Sequence, residues 1–152
     1  MYRINVLISS CLYGVKCRYD GKANYCDSIE ELKENCHLIP ACAECLGGLP
    51  TPRTPCEIID GKVISKIGED LTDVFLSGAK QVLKIAKENN CSIAFLKQRS
   101  PSCGDGLIYD GTFSGSLISG DGITSALLKE HGIKVFNETD VCDLLSFLKN
   151  QQ

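Results

Sequence analysis

The chain has 152 residues, 43% of them hydrophobic and 23% charged, a net charge of −3 and ten cysteines. At this length one domain buries about two-thirds of its unfolded surface, so a core forms without disulfide staples, and no run of about 18 apolar residues is available to span a membrane. A mixed, slightly acidic surface lacks the basic stripe that a phosphate-backbone binder needs, so nucleic acid is not an expected partner.

Residues 2–9 read as a first strand centred on Val6, Leu7 and Ile8. The apolar stretch ahead of Cys11 is too short for a secretory signal, so a cytoplasmic location is expected, where clustered thiols bind metal or do redox chemistry. Residues 29–36 predict a short helix with Ser28 and Glu31 as a capping box. His37–Ala41 predicts a second strand, followed by the turn-rich run Gly47-Gly48-Leu49-Pro50-Thr51-Pro52. Residues 58–64 predict a hairpin about Asp60-Gly61. The longest helix is expected over 71–89, where Val74, Phe75, Gly78, Val82, Leu83, Ile85 and Ala86 share one face. Residues 92–96 predict a third strand, and Asp110-Gly111 another tight turn. A helix within 120–132 closes at Gly132, residues 134–136 form a fourth strand, and 141–148 a last amphipathic helix.

This alternation predicts a single α/β domain over residues 1–152. The expected topology is Rossmann-like or flavodoxin-like: a central parallel sheet of about four strands, flanked by helices and small β-hairpins. In such sheets ligands bind beyond the carboxyl ends of the strands. Cys11, Cys42 and Cys103 follow the first, second and third strands, and with strand order 2-1-3-4 their loops emerge side by side. Cys26, Cys36, Cys91 and Cys142 lack glycine, proline or polar company and are expected to pack as small hydrophobes. Cys42-Ala43-Glu44-Cys45 is a C-x-x-C, but the Gly-Gly-Leu-Pro that follows cannot open the helix a thioredoxin-type dithiol uses. Structural zinc takes two close ligand pairs and only one is present. Three thiolates suit a cubane iron–sulfur cluster with one iron left open, a Lewis acid for soft sulfur ligands.

Several blocks then carry a resemblance. They are Ser10-Cys11-Leu12-Tyr13-Gly14 and Cys17-Arg18-Tyr19-Asp20-Gly21, then Pro40-Ala41-Cys42-Ala43-Glu44 running into Gly47-Gly48-Leu49-Pro50-Thr51-Pro52-Arg53. Leu96-Lys97-Gln98-Arg99-Ser100-Pro101-Ser102-Cys103-Gly104 and Ile108-Tyr109-Asp110-Gly111-Thr112-Phe113 complete the set. In these blocks the chain resembles the thiouracil desulfidases. The resemblance implies a 4Fe-4S cluster held by Cys11, Cys42 and Cys103. It also implies removal of sulfur from a thiolated pyrimidine, base or nucleotide, by non-redox hydrolysis. Glu44 matches the family's catalytic acid, and Ser100 or its neighbour Ser102 the family's serine. Cys45 and Cys56 depart from the pattern, and a fourth thiolate from either would close the cluster.

Arg18, Arg53 and Arg99 each sit in a block, either to bind a substrate phosphate or to pair with Asp20, Glu44 or Asp105 and hold the loops. The expected partner is a small thiolated pyrimidine, and the expected state a monomer or weak dimer. Two rival readings use the same thiols: a sulfur or cluster carrier without turnover, and a thiol oxidoreductase acting through Cys42 and Cys45.

Overall fold

The computed structural model describes residues 3–151. A four-stranded sheet, all parallel, forms the centre: β1 (Asn5–Ser9), β2 (His37–Ala41), β5 (Ile93–Leu96) and β8 (Lys134–Asn137), in the order β2-β1-β5-β8. This is the 2-1-3-4 order expected from the alternation of elements. Tyr2, placed at the start of the first strand by its sequence, lies outside the described residues.

Both faces of the sheet are covered, which is why its strands read as continuous apolar runs rather than alternating ones. On one face Val6, Ile8, Ile93 and Phe95 pack under α1 (Ile29–Asn35) and α5 (Val141–Asn150), through Ile29, Leu32, Leu144 and Leu148. On the other, Leu7, Ala94 and Leu96 meet Val82, Leu83 and Ala86 of α3 (Thr72–Glu88) and Leu128 of α4 (Ile123–Glu130). Each fully buried Leu, Ile or Phe contributes roughly 1.5–3 kcal/mol relative to an exposed one. Two antiparallel hairpins stand beyond the sheet: β3 (Cys56–Ile59) with β4 (Lys62–Ser65), and β6 (Leu107–Tyr109) with β7 (Leu117–Ser119). The first turns at Asp60 and Gly61, both left-handed (φ 48° and 78°), as its Asp-Gly dipeptide predicts.

Four local expectations are corrected. Ser28 does not cap α1 with its side chain, because it is already helical (φ −80°, ψ 0°) and the chain turns earlier, at the Ile29 N–H to Cys26 carbonyl bond. Asp110-Gly111 does not join two strands directly; it opens a seven-residue loop, 110–116, between β6 and β7. Cys142 is exposed on α5 and Cys26 only half-buried, whereas Cys36 and Cys91 are buried as expected. Finally, a one-turn helix, α2 (Ala43–Leu46), lies inside the C-x-x-C itself. It packs against α3 because Gly78 carries no side chain: a Cβ there would stand 1.9 Å from the Ala43 carbonyl oxygen.

Candidate active site

Strand register brings the three cysteine loops together. Ser9 is paired with Ala41, and Ile8 with Phe95, so β1, β2 and β5 end level with one another. The Ser10 N–H donates to the Ala41 carbonyl (2.9 Å) and the Lys97 N–H to the Ser9 hydroxyl (3.0 Å), tying the three exits. Beyond them lies a cleft of about 640 Å³ whose walls include Cys11, Cys17, Cys42, Cys56 and Cys103, with Glu44 and Ser100.

The thiols are graded by their surroundings. The Cys42 thiol is lowered to about 5, first by a hydrogen bond from Cys17, then by the Cys45 amide and Arg53, against the opposing effect of burial. The Cys11 thiol is lowered to about 7, again first by Cys17, with Asn24 and Lys97 assisting. Cys17 itself is buried and driven far up, because its proton is shared with those two sulfurs. Burial pushes the Cys103 thiol up to about 12, and negative charge on Cys11, Cys42 and Glu44 adds to this, while a hydrogen bond from Ser9 opposes it. Deprotonated together, these three thiols and the carboxyl would repel one another, and a metal centre placed among them would supply the missing positive charge. The soft donor set therefore fits a thiolate-held metal group. Among the described residues no three His, Cys, Asp or Glu side chains close tightly enough around a single ion; the thiols line the wider cleft instead.

Glu44 follows Cys42 on α2 and is held by Arg53, whose Nε donates to its Oε1 at 3.0 Å. Burial raises the Glu44 carboxyl, Arg53 opposes, and Cys42 adds to the rise. The rest of the Arg53 guanidinium is occupied: Nη1 donates to the Pro50 carbonyl and the Thr51 hydroxyl, Nη2 to the Cys17 carbonyl at 2.7 Å. Arg18 is likewise engaged, with Asp20 (2.9 Å) and the Asn24 side-chain Oδ1 (2.7 Å), and the Asn24 side chain in turn donates to the Cys11 sulfur. Arg99 is exposed at the cleft and left-handed (φ 66°); it makes no ion pair among the described residues.

The serines divide clearly. The Ser100 hydroxyl oxygen accepts the Ser102 and Cys103 N–H groups at 3.0 and 3.1 Å, folding the loop that carries Cys103. Its own proton remains available to the cleft. Ser102 is 1% exposed and bonded to the Thr124 hydroxyl at 2.9 Å, so it ties this loop to α4. Cys45 is exposed and contacts the Thr51 hydroxyl at 3.7 Å, while the Cys56 thiol is directed to the Thr54 carbonyl. Cys17 is the residue sequence reasoning left without a role. Its signal was there, in the glycine-bearing loop between Cys11 and Arg18, where the Gly14 N–H to Cys11 carbonyl and Val15 N–H to Ser10 carbonyl bonds fold the chain back.

Residues 6–140 match the sequence profile of the 2-thiouracil desulfurase family. The chain is 45% identical over 150 residues to the uncharacterized protein YbbK of Bacillus subtilis (strain 168), covering 92% of this chain and 99% of that one. Its fold superposes on the solved structure of the 4Fe-4S-dependent thiouracil desulfidase TudS with a TM-score of 0.90 and 38% identity, over 97% of this chain and 99% of that one. Among the described residues no helix is long and apolar enough to cross a membrane. The profile spans all three cysteine-bearing loops and the acidic residue beside the second, and on that match the chain belongs to the 2-thiouracil desulfurase family.

Proposed function

We propose that residues 1–152 act as one cytoplasmic, iron–sulfur-dependent desulfidase domain, which removes sulfur from a thiolated pyrimidine and releases it as sulfide. The observation that carries this reading is the meeting of Cys11, Cys42 and Cys103 in one cleft, from three adjacent strand ends, with a buried carboxyl beside them. Those three cysteines would hold a 4Fe-4S cluster. When bound, the cluster supplies a thiophilic Lewis acid at its remaining iron.

The chain's own residues supply the rest. Glu44 takes a proton from the attacking water and returns it to the ring, a role suited to a carboxyl raised toward working pH by burial. Arg53 keeps it aimed: four hydrogen bonds fix that guanidinium in place. The Ser100 proton goes to a pyrimidine oxygen, since its oxygen is already occupied by two amides. With Arg18 and Arg53 bound into the loops, Arg99 at the mouth is the arginine left for a substrate phosphate, joined by Lys66 on the same cleft. A thiolated nucleotide is accepted there as well as a free base.

The test is anaerobic purification, with iron and sulfide counted per chain, followed by 2-thiouracil and 4-thiouridine compounds as substrates. A cluster with stoichiometric sulfide and the matching oxygen product, uracil from 2-thiouracil or uridine from 4-thiouridine, supports the reading. A cluster without turnover makes the protein a carrier, and an iron-free, active dithiol makes it an oxidoreductase.

A further inference from the structure

The loop 110–116 between β6 and β7 is held over the cleft by contacts that the desulfuration chemistry itself does not require. Glu57 projects from β3 and is only 9% exposed. Its Oε1 accepts two backbone amides of that loop, Gly111 at 3.0 Å and Phe113 at 3.1 Å. Burying a carboxyl for this purpose is costly unless it is hydrogen-bonded, and here both bonds go to one short segment. Gly111 makes the same approach possible: it is left-handed (φ 93°), and a Cβ would stand 2.4 Å from Ile59 Cγ1. The consequence falls on Phe113, which is left-handed too (φ 56°) and lines the cleft. A bulky residue at positive φ is strained and persists only where its surroundings over-determine it.

We infer that Phe113 is a substrate-binding residue whose ring forms the stacking face for the substrate's pyrimidine, and that Glu57 is the positioning residue that holds it there. This rests on the reading of the cleft as a pyrimidine site. In that reading the polar groups of the site, Glu44 and Ser100, meet the edge of a flat ring and leave its faces uncovered. An aromatic ring covers such a face whichever atom carries sulfur, and its removal weakens binding roughly five- to hundred-fold. A stacked ring binds substrate and product alike, so its loss raises KM and leaves kcat nearly unchanged.

The experiment uses the cluster-loaded protein without oxygen and four substitutions, F113Y, F113L, E57Q and E57A. Turnover of 2-thiouracil gives KM and kcat, equilibrium dialysis gives the Kd of uracil, and amide exchange reports on Gly111 and Phe113. F113Y keeps the ring and stays close to wild type. F113L raises KM and the uracil Kd at least five-fold, with kcat within about two-fold and amide exchange unchanged. E57A raises both constants and speeds exchange at the two amides; E57Q keeps an acceptor oxygen and restores wild-type values. Wild-type uracil affinity in F113L or in E57A overturns the inference, as does loss of kcat alone. If the wild type binds uracil with this pattern but releases no sulfide from any thiopyrimidine, the desulfidase reading falls and the stacking face stands. If the wild type binds no uracil, the stacking face falls.

Discussion

Replacing Gly78 by alanine tests how the site is held, because Gly78 lies on α3 outside the cleft and meets it only through the Ala43 backbone. An added Cβ would lie 1.9 Å from the Ala43 carbonyl oxygen and 2.8 Å from its carbon. Both are backbone atoms and cannot rotate away, so α2 must move off α3 by about 1 Å or more to reach a tolerable contact. Alanine in a helix interior gains about 1 kcal/mol over glycine, whereas overpacking of this kind costs about 1–3 kcal/mol. With an immovable neighbour the upper end applies, and the net is a loss of about 1–2 kcal/mol. For a chain of this size that lowers Tm by roughly 2–8 °C. Cys42 and Glu44 travel with α2, and a displacement of about 1 Å at a reacting centre costs on the order of 10²-fold in rate. Thermal unfolding, iron per chain and kcat are the three readouts, with Ser77→Ala on the exposed face of the same helix as control. A G78A protein that melts at or above the wild-type temperature and loads a full complement of iron would refute the reasoning.

Glu44→Gln leaves iron and sulfide content unchanged and lowers kcat by roughly 10²–10⁴-fold; undiminished turnover removes Glu44 from the chemistry. Cys103→Ala sharply reduces the iron retained after desalting, whereas Cys45→Ala and Cys142→Ala leave it at the wild-type level; equal loss in Cys45→Ala would make Cys45 a ligand. In the metal-free protein, thiol order follows charge: at pH 6 Cys42, lowered to about 5, is mostly thiolate, Cys11 near 7 is a minority, and Cys103 near 12 is protonated. Iodoacetamide therefore labels Cys42 first, Cys11 increasingly as pH passes 7, and Cys103 last. Peptide mass spectrometry over pH 5–8 reads this directly, and labelling that simply follows exposure, with Cys45 and Cys142 ahead of Cys42 at pH 6, contradicts it. Ser102→Ala removes the hydroxyl that meets Thr124 in the core and costs roughly 1–3 kcal/mol of stability, without the rise in KM expected of Ser100→Ala.

Much of the site was legible because its residues sit in unusual company. Cys11, Cys42 and Cys103 stood out by following strand-like runs into loops of glycine, proline, serine and arginine, and the parallel order then made them neighbours. The buried cysteines were recognisable only in part. Cys36 and Cys91 are buried as expected, but Cys142 is exposed, because it lies off the stripe of Val141, Leu144, Leu145 and Leu148 by which α5 faces the sheet, a periodicity that outweighs the residue's own tendency to be buried. The helix inside the C-x-x-C was missed because it is a single turn, whose stability comes from packing on α3 rather than from propensity. Ser100 and Ser102 were indistinguishable by sequence, two residues apart in one loop; they separate only once one hydroxyl meets Thr124 and the other caps two amides.

The sequence by itself determined the α/β alternation, the apolar runs of a sheet covered on both faces, and which loops carry the thiols, because each depends on local periodicity and turn chemistry. Only the tertiary structure decided what those thiols do to one another. Cys17 lies within hydrogen-bond reach of Cys11 and Cys42, Arg53 is bound into the loops beneath Glu44, and Glu57 reaches across from a separate hairpin to hold the loop of Phe113. These groups are brought together by strand register and by close approaches at two glycines, Gly78 and Gly111. Charge and hydrogen bonding act over a few ångströms of space, and distance along the chain does not record them.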